Sequence, residues 1–168
     1  MDYTKKWGNI LTPYKNITKN YLEIGLFKGI TLPIWQEYFN CKVHGIDINL
    51  ANLEIDKSCF HVYELDATNP RDVPKNFNKL KFEVIVDDSN PEKHYDIFEI
   101  YQHFLAKDGI YIIETYKANR ASKPLYSLLL DYVKLVKNYS NFNFHIGSSA
   151  LSNQQIIYGY KKVDCPLS

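Results

Sequence analysis

Cysteine, methionine and glycine are scarce in this chain, and so is any imbalance of charge. The three cysteines, Cys41, Cys59 and Cys165, are odd in number and far apart, which fits neither a disulfide framework nor a paired zinc motif. Buried, reduced thiols are the expectation. Twenty basic residues stand against nineteen acidic ones, a formal net charge of +1 over 168 residues, so the broad basic footprint of a nucleic-acid partner is missing. No apolar run approaches the roughly 20 residues that cross a bilayer. Met1 to Lys6 does not present a charged region followed by an apolar one, so no secretory leader is read there. These absences exclude a membrane span, disfavour a polyanionic partner and lead us to expect a cytoplasmic protein. Internal repeats, low-complexity segments and linkers are also missing, and the whole of 1–168 is expected to form one domain.

What is present is a rhythm. With 45% hydrophobic residues, short apolar runs alternate with longer amphipathic stretches. Asn20 to Ile24, Lys42 to Ile48, Phe60 to Leu65, Phe82 to Asp87 and Gly109 to Glu114 read as strands, rich in β-branched and aromatic residues. The segments between them are long enough for crossover helices. Thr31 to Phe39 is one; Pro91 to Leu105 is another, where Ile97, Phe98, Tyr101, Phe104 and Leu105 keep helical spacing. Parallel neighbours need such crossovers, and repeated βα units build an open sheet with helices on both faces. A further helix is predicted from Ser122 to Asn138, with Leu125, Leu128, Leu129, Tyr132, Val133 and Val136 as its stripe. The rhythm then changes. Asn143 to Ile146 and Gln154 to Lys161 are close enough for an antiparallel hairpin. The fold class is therefore α/β: a doubly wound, mostly parallel sheet with a C-terminal antiparallel hairpin.

Open α/β sheets bind ligands at the carboxyl ends of their strands, at the point where strand order reverses. The first strand ends in Glu23-Ile24-Gly25, followed by Gly29. Two glycines four residues apart allow a tight turn and let a ligand approach without a β-carbon in the way. The Gly-x-Gly-x-x-Gly pattern that seats a pyrophosphate is unfilled at Leu26 and Phe27, so a cofactor without phosphate fits better. Asp47 closes the second strand, where a carboxylate can accept hydrogen bonds from both ribose hydroxyls of an adenosine; a solvated turn cap is the bland alternative. Asp66, after the third strand, can contact an adenine amino group or simply open a loop. Asp87 and Asp88 end the fourth strand. Adjacent carboxylates are costly to hold without a cation or a donor cluster. A divalent metal on both is one solution. In the other, one carboxylate faces the cofactor while its neighbour points to the opposite side of the strand. His94 shares a helical face with Ile97, Phe98 and Tyr101, and it either points into the mouth of the site or packs in the core.

The residues Tyr21-Leu-Glu-Ile-Gly-Leu-Phe-Lys-Gly29 through Phe39, followed by Val43-His-Gly-Ile-Asp47, resemble the macrocin-type sugar O-methyltransferases and the cephalosporin hydroxylase-like proteins grouped with them. Phe82-Glu-Val-Ile-Val-Asp87-Asp88 and Gly109-Ile-Tyr111-Ile-Ile-Glu114 are similar to the family's Asp-Asp-Gly-Ser-His strand end and Gly-Gly-x-Tyr-x-x-Glu strand. The likeness runs over about residues 14 to 116. It implies a Rossmann-like class I methyltransferase fold binding S-adenosylmethionine, with Glu23, Gly25, Gly29, Asp47, Asp66 and Asp87 toward the cofactor. It also implies a sugar or glycan hydroxyl as acceptor, magnesium held in part by Asp87 and Asp88, and a motif histidine as base; on chemistry alone His94, Asp88 or a metal on the aspartate pair can activate the acceptor hydroxyl. Ser89-Asn90-Pro91 stand where the family has Gly-Ser-His, which leaves His94 to replace the missing base or to serve only in packing. A nucleic-acid base methyltransferase would carry an Asn/Asp-Pro-Pro-aromatic motif after the fourth strand, and Asn90-Pro91-Glu92-Lys93 does not. The rival reading is a non-enzymatic cofactor-binding or interaction module on the same fold.

Overall fold

Every strand of the sheet is laid out by a run in which alternate residues serve opposite faces. The computed structural model describes residues 8, 10–114, 123–148 and 155–162. Its strands are β1 (Asn20–Ile24), β2 (Lys42–Asp47), β3 (His61–Glu64), β4 (Phe82–Asp87), β5 (Leu105–Glu114), β6 (Phe142–Ser148) and β7 (Gln155–Lys161). They join in the order β3-β2-β1-β4-β5-β7-β6. The first five are mutually parallel, and β7 runs antiparallel to both β5 and β6. The expected doubly wound sheet and closing hairpin are thus both present; the hairpin's turn, 149–154, lies outside the described residues.

Chain order from β1 runs outward to β3 and then returns to the other side of β1 for β4. The reversal falls between β1 and β4, whose carboxyl ends lie side by side with Ile24 opposite Asp87. Helices α1 (Thr31–Phe39), α2 (His94–Tyr101) and α3 (Lys123–Asn138) cover the faces. On one face Leu32, Trp35 and Phe39 of α1 join Tyr21, Val43, Val84, Val86 and Ile112. On the other, Ile97, Phe98 and Tyr101 of α2 and Leu135 of α3 join Leu22, Ile24, Ile85, Tyr111 and Ile113. Phe98 fixes α2 in place, its ring 4.9 Å from Tyr111, 5.3 Å from Phe142 and 5.6 Å from Phe144. Burying one such side chain stabilises by about 1.5–3 kcal/mol. α1 stops at Asn40, which takes a left-handed φ of 49°, a conformation asparagine tolerates better than most residues.

Four expectations need correction. Only short 3-10 turns, not crossover helices, link β2 to β3 and β3 to β4. α2 begins at His94 and not at Pro91, because Asn90 closes its own turn first: its carbonyl accepts from Lys93 N–H and its side chain from Glu92 N–H. α3 is rotated from the predicted stripe, with Leu135 buried and Val133 and Val136 exposed; the side chains of Leu125, Leu128 and Leu129 lie outside the described residues. Finally, Cys59 is exposed and Cys41 half-buried, both free; burial pushes the Cys41 thiol up to about 12, which keeps it protonated and unreactive. Cys165 falls outside the described residues. Among the described residues no helix is long and apolar enough to cross a membrane.

Candidate active site

The turn after β1 is built from positive-φ residues. Gly25 has φ 90°, Phe27 φ 50° and Gly29 φ 70°, so three of five residues sit where side chains are disfavoured. At Gly25 the requirement is also steric: a β-carbon there would lie 2.6 Å from the Asp88 carbonyl oxygen and 2.8 Å from Ser89 Cα. The turn therefore lies directly against the backbone leaving β4, at the point where strand order reverses.

Asp47 holds the turn's shape. Its Oδ2 accepts from the backbone N–H groups of Leu26 at 2.7 Å and Phe27 at 3.0 Å, and its Oδ1 from Asn49 N–H at 3.0 Å. A carboxylate offers about four acceptor positions, and three of them here serve the loop. Sequence reasoning placed Asp47 correctly at the strand end but missed this wiring. It also missed two apolar side chains at the same rim: Phe27 is 66% exposed and Ile48, immediately after Asp47, 71% exposed. Large apolar groups left this open beside polar acceptors mark a surface that a ligand or partner can cover.

Glu23 is buried beneath the turn. Its Oε2 accepts from Tyr21 O–H at 3.0 Å and its Oε1 from Thr31 O–H, tying β1 to the first residue of α1. Asp66 Oδ1 accepts from both the N–H and O–H of Thr68, at 2.8 and 2.7 Å. Those bonds hold its carboxyl below the usual range, so it stays ionised at the end of β3.

Asp87 and Asp88 part company. Strand alternation turns Asp87 into the α2 face, 0% exposed, while Asp88 is exposed. This is the second of the two expected arrangements, with one carboxylate buried under α2 and its neighbour facing outward. Among the described residues no group of three His, Cys, Asp or Glu is placed to hold a metal. Asp87 Oδ1 accepts from the N–H and O–H of Ser89, and His94 Nε2 lies 3.9 Å away. Burial pushes the Asp87 carboxyl up, against the opposing pull of His94 and Ser89. His94 does not open to the mouth of the site: it is 1% exposed, with Nε2 3.3 Å from the Ser89 carbonyl oxygen. The structure brings it to the acidic strand end, but as a sealed neighbour.

No protein-family model matches the sequence, and no curated protein does. Solved structures do match in fold. The mycinamycin-pathway methyltransferase MycE, solved with magnesium, SAH and mycinamycin VI, superposes at TM-score 0.72 with 16% identity over 99% of this chain and 51% of its own. An O-methyltransferase from Bacillus cereus, solved with SAH, gives 0.71 and 14% over 96% and 82%. The ribosomal protein L11 methylase from Lactobacillus delbrueckii subsp. bulgaricus gives 0.62 and 13% over 97% and 81%. The chain spans about half the length of the MycE chain. At these identities the likeness defines the architecture, which is the Rossmann-like methyltransferase fold.

Proposed function

We propose that the chain is an S-adenosylmethionine-dependent O-methyltransferase whose acceptor is a hydroxyl of a small molecule, a sugar or a glycan. The observation that carries this reading is the glycine turn at the β1/β4 reversal, held by Asp47 and flanked by exposed Phe27 and Ile48. That rim offers a nucleoside an acidic acceptor, an apolar cover and a close backbone. The even charge balance supports a small acceptor over a nucleic acid. MycE is a methyltransferase and the Bacillus cereus protein an O-methyltransferase, both solved with SAH.

When bound, the cofactor supplies a methyl group on a sulfonium, which passes to the acceptor oxygen as the carbon–sulfur bond breaks and the hydroxyl proton leaves. The protein's part is alignment and water exclusion, worth as much as about 7–11 kcal/mol of barrier when geometry is right. Asp47 would hold the ribose, Asp66 the adenine amino group, and the Gly25 turn would admit the sulfonium end. Asp88, exposed beside Gly25, orients the acceptor hydroxyl and takes its proton. Incubation with labelled S-adenosylmethionine and a panel of glycans and small alcohols tests the reading: transfer of label to a hydroxyl is expected. Cofactor binding without transfer to any acceptor would favour the non-enzymatic module instead.

A further inference from the structure

Ser89, in the segment leaving β4, is held through its backbone and its side chain. Its N–H and O–H both donate to Asp87 Oδ1, and its carbonyl oxygen faces His94 Nε2 at 3.3 Å. Both partners are sealed, Asp87 among the strands and His94 at the first turn of α2, where Ile97, Phe98 and Tyr101 anchor the helix in the core. Their positions are thus fixed by packing, and Ser89 inherits that rigidity. The next residues are tied separately by the Asn90 turn. The clamp has a target. The Asp88 carbonyl and Ser89 Cα form the surface against which Gly25 lies with no space for a β-carbon, and the strand order places that contact at the topological reversal, where ligands enter such sheets.

We propose that His94 and Asp87 are positioning residues: by clamping Ser89 they hold the Asp88–Ser89 backbone against the Gly25 turn and so fix the floor of the cofactor site. This rests on the cofactor reading above. It gives His94 a role that needs no access to the acceptor, in keeping with its burial. It also separates the paired aspartates by task, since Asp87 orders the backbone from within while Asp88 faces outward. Donation to the Ser89 carbonyl requires a proton on Nε2.

The two roles open to His94 respond differently to replacement. Glutamine keeps an N–H donor of similar reach for the Ser89 carbonyl but loses the basic nitrogen. Phenylalanine fills the space without donating. Titration calorimetry with S-adenosylhomocysteine is the readout, alongside thermal unfolding of each variant. His94→Phe is expected to weaken binding about tenfold, the loss of one buried hydrogen bond of ordinary strength, whereas His94→Gln stays within about threefold of the unaltered protein. Ser89→Ala, which cuts one bond of the clamp and carries the test should His94→Phe not fold, is expected to weaken binding about fivefold. Equal affinity for all variants and the unaltered protein overturns the proposal, as does equal weakening by Gln and Phe. If the unaltered protein binds neither S-adenosylhomocysteine nor S-adenosylmethionine, the cofactor reading itself falls and takes this proposal with it.

Discussion

His44 and His94 are sealed on the same face of one sheet, and their surroundings are opposites. His44 sits in β2 inside an aromatic box: its ring stacks on His61 at 4.7 Å and meets Phe82 and Phe77 edge-on at 5.2 and 6.0 Å. Among the described residues neither of its ring nitrogens has a hydrogen-bond partner. Burial first, then the neighbouring His61 and Lys42, lowers its pKa to about 4. His94, by contrast, lies at the carboxyl end of the sheet between a carboxylate and a carbonyl. One histidine is tolerated as a flat ring; the other is used for its nitrogen. The difference follows from position, because the strand ends expose backbone groups that polar side chains can organise, while the sheet's middle offers only apolar walls.

If the rim is organised by carboxylates, removing the one that holds the most backbone should have the largest effect. Asp47→Ala loses three bonds to N–H groups. We expect a stability loss of about 2–4 kcal/mol, short of the sum of three charged hydrogen bonds because the site is partly exposed, with binding of S-adenosylhomocysteine lost in the same variant. Urea unfolding and calorimetry measure the two effects. An unchanged unfolding midpoint would mean that the turn holds itself, and the rim would be no more organised than the box.

The aromatic box makes the reverse prediction. His44→Phe should raise stability by about 1–2 kcal/mol at pH 7 by removing two unpaired buried nitrogens. The gain should widen in acid. The folded pKa near 4 lies below the unfolded value of about 6.5, so between these pH values the unfolded chain binds the extra proton and the native protein loses stability as pH falls. Phenylalanine has no such proton, and the gain should grow by at most about 3 kcal/mol between pH 7 and pH 4. Parallel stability curves for the two proteins from pH 7 to pH 4 would show that His44 finds a partner after all.

Much of this contrast is visible in the sequence, and the part that is not has physical reasons. β1 and β4 begin and end at the predicted residues because their runs are bounded sharply, β1 by Lys19 and the Gly25 turn and β4 by Lys81 and Asp88. β5 starts earlier than Gly109, at Leu105, through an irregular register against Phe82 and Val84 that no periodicity signals. The rotation of α3 was beyond reach because apolar residues surround that helix: Leu130, Tyr132, Val133, Leu135 and Val136 give several equivalent stripes. The glycines and Asp47 are legible through local spacing. The opposite facing of Asp87 and Asp88 follows from strand alternation and was one of two open readings. Whether His94 faces solvent or core depends on where α2 starts, and that is decided by the Asn90 turn, a competition between local hydrogen bonds that spacing alone does not resolve.

The smallest predicted effect tests whether the His94 pocket is truly the polar counterpart of the box. Asp87 is raised by desolvation more than His94 and Ser89 lower it, so its folded pKa lies above the unfolded value of about 3.9. A group shifted in that direction contributes its full stability below the unfolded value and loses it as pH rises through the folded one. At neutral pH the buried carboxylate is therefore a net cost to folding. Asp87→Asn keeps the shape and one acceptor oxygen for Ser89 while removing the charge. It should raise stability by about 1 kcal/mol at pH 7–8, the lower end of what replacing buried charges yields, with the gain shrinking as pH falls toward 4. Urea midpoints across that range, at constant slope, make the measurement. A variant less stable than the unaltered protein at pH 8 would mean that the attraction of His94 for the carboxylate outweighs the cost of burying it. The pocket would then be held by charge, and its difference from the aromatic box would be larger than hydrogen bonding alone accounts for.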